Sequence, residues 1–286
     1  MALNAFSQQG GYRLAGWEPG DVVANGIRLH YYRTGGNKPP LVMVHGITDI
    51  GLCWTRLARA LEPEYDVIMY DARGHGLSDA PEDGYSYEDH AADLAGLIGA
   101  LGLVRPRLMG HSMGAATVAV MAASRPELAR CVVLEDPPWR EDFVAPTAEQ
   151  QRAAAEGWRA ALAGWQARTR AELVAWCRQE RAYWDEADIG PWAESKLQAH
   201  MNVVKVVSAP RTPWQQVVSH IQCPILLLTG DAELGAIVRP ESAQEAARLW
   251  RVGQVAHIPQ AGHNIRRDQF ERMLTAVRSF LSAYPD

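Results

Sequence analysis

The chain has 286 residues, of which 48% are hydrophobic and 21% charged, so it is long enough to form one globular domain with a substantial core. Its formal net charge of -5 disfavours nucleic acid and anionic membrane surfaces as partners. The first 20 residues lack a cationic stretch followed by an apolar core, and no run of about 18 apolar residues occurs elsewhere. We therefore expect a cytoplasmic protein that is neither secreted nor membrane-spanning.

The predicted strands begin with an antiparallel hairpin over 21–33, whose turn is Asn25-Gly26. Six short apolar runs then alternate with helical patterns. These runs are Leu41 to Val44, Val67 to Tyr70, Arg107 to Met109, Cys131 to Leu134, Ile225 to Thr229 and Val255 to Ile258. Such alternation is typical of a mostly parallel sheet with crossover helices, so the predicted fold class is α/β.

Two helices have clear apolar stripes, one near Ser86 to Leu101 and one that closes the chain before Pro285. After Pro137 and Pro138, strand-like runs disappear for about 75 residues and helical periodicity takes over. We predict a core of residues 1–138 and 215–286, with 139–214 as a helical insertion. The insertion holds seven of the ten tryptophans; we expect some to pack its helices and others to line an apolar pocket.

The cysteines point to no redox or metal chemistry. Cys53, Cys131, Cys177 and Cys223 are far apart, and no CxxC pair or His-rich partner segment accompanies them. We expect buried free thiols rather than disulfides or metal ligands.

The strongest chemical signal is the segment Gly110-His111-Ser112-Met113-Gly114, which follows a strand and opens an Ala-rich helix. A nucleophile on a sharp strand-to-helix turn needs small residues on either side, because the neighbouring backbones come close together. The helix N-terminus also favours developing negative charge. The sequence therefore predicts Ser112 as a nucleophile.

A serine hydroxyl needs a base to accept its proton. His263 lies in a loop after the last strand and before the closing helix, where an imidazole can reach the carboxyl edge of the sheet. By contrast, His45, His75 and His111 lie in glycine-rich turns and are expected to orient backbone. The remaining histidines have no catalytic context.

Three carboxylates compete to orient the base. Asp231 follows the strand that ends at Thr229 and is the first choice, with Glu233 two residues on in the same loop. Asp136 follows the strand Cys131 to Leu134 and is the other alternative. The two carboxylates that do not orient the histidine are expected to cap turns or to contact the residues around the site.

Donors for a tetrahedral oxyanion are expected from backbone N–H groups. One is the N–H of Met113, and the second is that of Ile47, after the turn His45-Gly46. The glycine-rich stretch 71–79 lacks the spacing and the lysine of a phosphate loop. We interpret it as structural, with Arg73 and Asp79 paired.

Together these residues resemble the α/β-hydrolase family, specifically its capped serine hydrolases, over about residues 21 to 286. The order of nucleophile, acid and histidine carries the resemblance. It implies an eight-stranded, mostly parallel sheet, Ile47 and Met113 as oxyanion donors, the insertion 139–214 as a cap over the pocket, and no metal or organic cofactor. The acid departs from the usual pattern: counting from Pro224 favours Glu233, residue type favours Asp231, and relatives with the acid one strand earlier favour Asp136.

The resemblance also shapes the expected function. Serine at position 112 argues against haloalkane dehalogenases and epoxide hydrolases of this fold, which use an aspartate nucleophile. The leading hypothesis is a carboxylesterase or lactonase for small to medium apolar substrates, because no basic cluster is evident in the insertion. The alternatives are a carbon–carbon bond hydrolase of diketones, which would need an inward-pointing arginine such as Arg152, Arg159 or Arg181, and a slow ligand sensor. The sequence leaves the oligomeric state open.

Overall fold

The centre of the structure, a computed structural model that describes residues 16–140 and 147–285, is an eight-stranded sheet. The strands are β1 (Glu18–Ala24), β2 (Ile27–Arg33), β3 (Pro40–Val44), β4 (Asp66–Tyr70), β5 (Arg107–His111), β6 (Val132–Glu135), β7 (Ile225–Thr229) and β8 (Gly253–His257). They lie in the order β1-β2-β4-β3-β5-β6-β7-β8. β2 runs antiparallel to both β1 and β4, and the other neighbours are parallel. The predicted α/β class and mostly parallel sheet are confirmed.

From β3 onwards, helices connect the strands. They are α1 (Thr55–Leu61), α2 (Tyr87–Ala100), α3 (Met113–Ser124), α4 (Ala148–Gln166), α5 (Arg170–Glu180), α6 (Glu186–Gln198), α7 (Lys205–Ser208), α8 (Trp214–His220), α9 (Pro240–Leu249), α10 (Ile265–Asp268) and α11 (Phe270–Ser282). None of these helices is both long enough and apolar enough to cross a membrane.

The two faces of the sheet pack against two different sets of helices. In β3, Val42 and Val44 face a core shared with α2, α3, α8 and α9, whereas Leu41 and Met43 face a core shared with α1 and α11. This alternation follows from the two-residue period of a strand. Because both faces are covered, β4, β5 and β7 are buried along their whole length, and β3 is buried except at Pro40.

Local sequence explains several element boundaries. The β1–β2 hairpin turns at Asn25 and Gly26, both with positive φ, as a two-residue turn between antiparallel strands requires. Ser86 caps α2 and exchanges hydrogen bonds with Asp89, three residues on. β5 extends two residues beyond the predicted strand, through His111, and so ends directly before Ser112.

Between β6 and β7 the chain forms helices rather than strands. We call α4 to α7, residues 147–208, the helical segment. Leu173, Cys177, Ile189 and Ala193 build a small core between α5 and α6. On the sheet side, Trp139 stacks on Trp214 with 5.2 Å between ring centroids. The stretches before and after the helical segment are therefore in contact with each other.

Two expectations about individual side chains are settled by the fold. All four cysteines are buried and free, as predicted. The predicted pair of Arg73 with Asp79 is wrong: Arg73 binds Asp93, with Nε 2.6 Å from the carboxylate, and Asp79 accepts from Arg28. Arg73 is buried and points towards α2, which carries Asp93. A buried guanidinium needs a carboxylate partner at the same depth, and Asp93 provides it.

Candidate active site

Ser112 lies in a strained turn between β5 and α3. Its φ of 52° and ψ of -116° fall in a region that non-glycine residues rarely adopt. The Ser112 N–H donates to Glu135 O at 2.9 Å, which anchors the turn on β6. The side chain is largely buried, yet it lines a cavity at the carboxyl edge of the sheet. This is the geometry that the glycine-flanked serine predicts.

The glycines around Ser112 are required by close backbone packing. A Cβ atom on Gly110 would lie 2.3 Å from Gly114 O, and one on Gly114 would lie 2.1 Å from Val44 O. On the facing loop, a Cβ on Gly46 would come within 3.3 Å of Ser112 Cβ. Only residues without a side chain allow β3, β5 and α3 to meet at this point.

His263 contacts the carboxylate of Asp136 and no other carboxylate of the described residues. The distance from His263 Nδ1 to Asp136 Oδ2 is 2.6 Å. Asp136 is fully buried, and its carboxylate also accepts the backbone N–H groups of Ile237 and Val238. These two donors fix the carboxylate, which in turn orients the imidazole and leaves Nε2 free to face the cavity.

Sheet register explains why Asp136 reaches the site. His111 pairs with Glu135 across β5 and β6, so Ser112 and Asp136 leave neighbouring parallel strands at the same level. The main chain at Asp136 has a φ of 42°, which is uncommon for a non-glycine residue. Both residues thus turn sharply at the carboxyl ends of their strands.

The structure does not bring the other two candidate acids to His263. Asp231, the first choice from sequence, accepts instead from His257 Nε2 at 3.0 Å and from Gln260 N at 2.7 Å. It follows β7, one strand farther from Ser112, and turns towards β8. Glu233 is exposed in a short 3-10 helix. The placement of Asp231 beside the histidine is therefore corrected in favour of the alternative Asp136.

The two residues whose backbone N–H groups are expected to bind an oxyanion both lie near Ser112. Met113 is the first residue of α3, where N–H groups have no partner within the helix. Ile47 follows β3 and lines the same cavity as Ser112. Met113 therefore follows Ser112 directly in the chain, and Ile47 lies on the loop whose Gly46 packs against Ser112.

The cavity over Ser112 has a volume of about 180 Å³. Part of its wall comes from the core and part from the helical segment. The core contributes Gly46, Ile47, Thr48, Asp49, His111, Ser112, His263, Asn264 and Arg267, and the helical segment contributes Trp158, Trp165, Trp176, Arg181, Trp184, Trp192 and Lys196. Among the described residues, five tryptophans thus line the same cavity as Ser112, as the sequence led us to expect of some of them. The volume is below the range of about 300–1,000 Å³ for drug-sized ligands, so the cavity fits a small molecule.

Three cations of the described residues line this cavity: Arg181, which the sequence offered as one possible inward-pointing arginine, and Lys196 and Arg267, which sequence reasoning missed. Lys196 and Arg267 are buried and both contact Asp49, whereas Arg181 is exposed at the wall. The only earlier signals are that Lys196 is one of three lysines in the chain and that Arg267 follows His263 by four residues. The cavity therefore combines apolar walls with positive charge, unlike the purely apolar pocket expected.

Asp49 is the centre of a buried ion-pair network. Its Oδ2 atom accepts from Arg266 at 2.8 Å and from Arg267 at 3.1 Å, and its Oδ1 lies 3.3 Å from Lys196 Nζ. Burial alone would raise the pKa of Asp49, but these three cations hold it well below its usual value. The network connects the Ile47 loop, the helix after His263 and helix α6.

Neighbouring histidines support the backbone of the site, as expected from their turns. His45 Nε2 accepts the N–H of Ala72 at 3.0 Å, and His75 Nε2 accepts that of Thr48 at 3.2 Å. His111 Nε2 lies 2.9 Å from His263 O, so its N–H donates there. Burial lowers the pKa of all three imidazoles, which keeps them neutral. Within the described ranges, no three His, Cys, Asp or Glu side chains are grouped to hold a metal ion.

Comparison with known proteins agrees with this architecture. The family described as the alpha/beta hydrolase fold matches residues 39–266. N-formylmaleamate deformylase of Pseudomonas putida is 31% identical, over 92% of this chain and 96% of that protein. The crystal structure of E-2-(acetamidomethylene)succinate hydrolase has a TM-score of 0.77 and 25% identity, covering 93% of this chain and 99% of that one. A thermophilic esterase from Thermogutta terrifontis with malate bound has a TM-score of 0.73 and 26% identity, covering 93% and 99%.

The family match spans most of the chain, from just before β3 to the residues after His263. It includes the turn at Ser112, the carboxylate Asp136 that contacts His263, and the loop that carries this histidine. The eight-stranded sheet has the predicted form as well. The chain therefore belongs to the family of the alpha/beta hydrolase fold.

Proposed function

We propose that this protein is a serine hydrolase that cleaves an ester or amide bond in a small molecule carrying a carboxylate. The observation that carries the proposal is that Ser112 and His263 line one small cavity, with the buried Asp136 bound to His263. A nucleophile, a base held by a buried acid, and two N–H donors are the groups that acyl transfer needs.

In this mechanism, Ser112 Oγ attacks the substrate carbonyl while His263 Nε2 accepts its proton. Asp136 stabilises the imidazolium that forms, and the N–H groups of Ile47 and Met113 bind the oxyanion. His263 then donates the proton to the leaving alcohol or amine. Water, activated by the same imidazole, hydrolyses the acyl-enzyme. No step requires a cofactor.

The substrate class follows from the wall of the cavity. Lys196 and Arg267 share Asp49, whereas Arg181 makes no ion pair within the part of the chain that the structure describes. Its guanidinium lies 5.9 Å from the ring centroid of Trp184, beside the apolar wall. A guanidinium binds a carboxylate through two parallel hydrogen bonds. Arg181 is therefore the proposed partner of a substrate carboxylate.

The relatives support this substrate class. Two of them are named as hydrolytic enzymes for N-formylmaleamate and 2-(acetamidomethylene)succinate, and the similar esterase holds malate. Each of these molecules is a carboxylate with a short carbon skeleton. We propose that the helical segment acts as a cap that closes a site for such a compound. This replaces the purely apolar ester or lactone that the sequence suggested.

The test compares pairs of substrates that differ only in charge, such as a mono-ester or mono-amide of a short dicarboxylic acid and its neutral diester. Ser112→Ala should abolish turnover of both while near-ultraviolet circular dichroism stays unchanged. Turnover that persists in this variant would contradict the mechanism.

A second comparison tests the carboxylate partner. Arg181→Gln should lower kcat/KM for the charged substrate by about 10- to 100-fold, as expected for a charged hydrogen bond, and leave the neutral one nearly unchanged. Arg159→Gln, on an exposed position of α4, is the matched control. An equal loss on both substrates would show that Arg181 does not recognise charge.

Carbon–carbon bond hydrolysis of a diketone is a second candidate. It requires an inward-facing arginine in the helical segment, and Arg181 meets that condition by lining the cavity. Decay of the absorbance of a coloured dienol substrate, without turnover of any ester or amide, would favour this activity.

A further inference from the structure

Lys196 of helix α6 reaches across the cavity to the loop that carries Ile47. Its Nζ donates to Thr48 O at 2.9 Å and to Thr48 Oγ1 at 3.0 Å, and it lies 3.3 Å from Asp49 Oδ1. The side chain is only 4% exposed. An ammonium group has three N–H donors, and these three acceptors account for all of them.

The residue that receives two of these hydrogen bonds is in a strained conformation. Thr48 has a φ of 62°, in the left-handed region that a β-branched residue rarely adopts. Such a conformation costs roughly 1–3 kcal/mol and persists only when the surroundings hold it. Lys196 holds the carbonyl and hydroxyl of Thr48 from one side, and His75 accepts its N–H from the other.

Thr48 directly follows Ile47, whose N–H is an oxyanion donor in the proposed function. A relaxation of the Thr48 backbone would displace the adjoining peptide groups and move this donor. Catalytic hydrogen bonds to an oxyanion depend on donors held about 2.7–3.1 Å from its position. The loop therefore needs an anchor that does not itself take part in the reaction.

Lys196 also lines the cavity, so direct binding of substrate is the alternative to this anchoring role. A substrate carboxylate at Nζ would have to displace Thr48 or Asp49 from a buried ammonium group. Arg181, which makes no ion pair in the described ranges, is available to a carboxylate without such a loss. The contacts thus favour anchoring for Lys196 and recognition for Arg181.

We propose that Lys196 is a positioning residue that ties helix α6 to the loop Ile47 to Asp49 and thereby holds the oxyanion donor in place. The inference rests on the proposed function, because it assigns the N–H of Ile47 its role. On this inference, the helical segment does more than cover the site, because its residue Lys196 positions an oxyanion donor. The oxyanion site is complete only when α6 is docked on the core.

The main test is Lys196→Met, which keeps the aliphatic stem and removes the charge. We expect kcat to fall about 10- to 100-fold with KM nearly unchanged, because an oxyanion donor acts mainly in the transition state. The loss should be the same for the charged and the neutral substrate. A trifluoromethyl ketone with the same acyl group, which forms an oxyanion on Ser112, should bind more weakly by a similar factor.

Two further variants separate anchoring from general damage. Thr48→Val removes only the hydroxyl acceptor and should give a smaller loss of the same kind, in kcat rather than KM. Lys205→Met alters a partly exposed lysine of the same segment, which pairs with Asp83, and should leave both parameters unchanged. Thr48→Val also keeps the inference testable if Lys196→Met does not fold.

Hydrogen exchange provides a readout that does not depend on turnover. In Lys196→Met the amides of residues 47–49 should exchange faster than in the wild type, whereas the amides of β3 should keep their wild-type rates. In Lys205→Met the amides of residues 47–49 should also exchange at wild-type rates. Unchanged exchange in this loop would overturn the inference. A KM effect confined to the charged substrate would overturn it too, by making Lys196 a substrate-binding residue. Failure of the proposed function gives a different result from failure of this inference, because it appears as turnover that does not depend on Ser112.

Discussion

At the scale of single residues, Asp136 and Asp231 differ in what surrounds them rather than in type. Both follow the carboxyl end of a parallel strand. Asp136 is fully buried against His263, whereas Asp231 is partly exposed and pairs with His257, itself more than half exposed. A buried carboxylate acts strongly on an imidazole because little water screens the interaction. This contrast makes the two positions a matched pair.

Asp136→Asn should lower kcat by roughly 10³- to 10⁴-fold, since the amide keeps the shape of the carboxylate but cannot stabilise an imidazolium or maintain the tautomer. Asp231→Asn should change kcat by less than about twofold. Steady-state kinetics of both variants on one substrate makes the comparison. Equal losses, or a larger loss for Asp231→Asn, would return Asp231 to the role of acid.

At the scale of elements, glycine has opposite roles in two helices. Gly114 in α3 lies where the helix crosses β3, and an added Cβ would lie 2.1 Å from Val44 O. Gly157 in α4 has no atom within 4 Å of the position of an added Cβ. Close packing requires glycine at the first position, whereas nothing around the second demands it.

Gly157→Ala should raise the free energy of unfolding by about 0.5–1 kcal/mol, because alanine loses less backbone entropy in a helix. Gly114→Ala should lower it by about 1–3 kcal/mol, because the clash is with backbone that cannot move aside. Urea unfolding followed by tryptophan fluorescence measures both changes. A neutral Gly114→Ala would show that α3 can shift away from β3, contrary to the packing described here.

At the scale of the whole molecule, four buried histidines make stability depend on pH. Burial lowers the pKa of His45, His75, His90 and His111 below the usual 6.5, and that of His90 reaches about 3. The unfolded chain takes up protons near pH 6.5, whereas the folded imidazoles stay neutral. Their contribution to stability is therefore present above pH 6.5 and is lost as the pH falls towards the folded pKa.

His90 allows this effect to be isolated. Between pH 7.5 and pH 5.5, we expect His90 to reduce the free energy of unfolding by about 1.4 kcal/mol, the value for one proton bound over one pH unit below 6.5. His90→Phe should remove that part of the pH dependence and leave the contributions of other groups in place. Denaturant unfolding of both proteins at the two pH values gives the difference. Equal pH dependence in both would mean that folded His90 is protonated.

Much of the fold is predictable from local pattern. The strands, the Asn25-Gly26 turn and the Ser86 cap can be predicted from neighbouring residues, because they depend on backbone propensity and short-range hydrogen bonds. The nucleophile turn is equally local, since Gly110 and Gly114 flank Ser112 within five residues. The chain order of Ser112, the candidate carboxylates and His263 also follows from the order of the strands.

The sequence by itself therefore determined the α/β sheet, the serine elbow and the histidine loop of this protein. Only the tertiary structure decided which carboxylate meets His263, because Asp136 and its partner lie 127 positions apart and Asp231 is equally plausible from residue type. It also decided the charge of the cavity, since Lys196 meets Asp49 across 147 positions. Contacts of this kind depend on how helices and strands pack, and burial then sets their strength, so no local pattern records them.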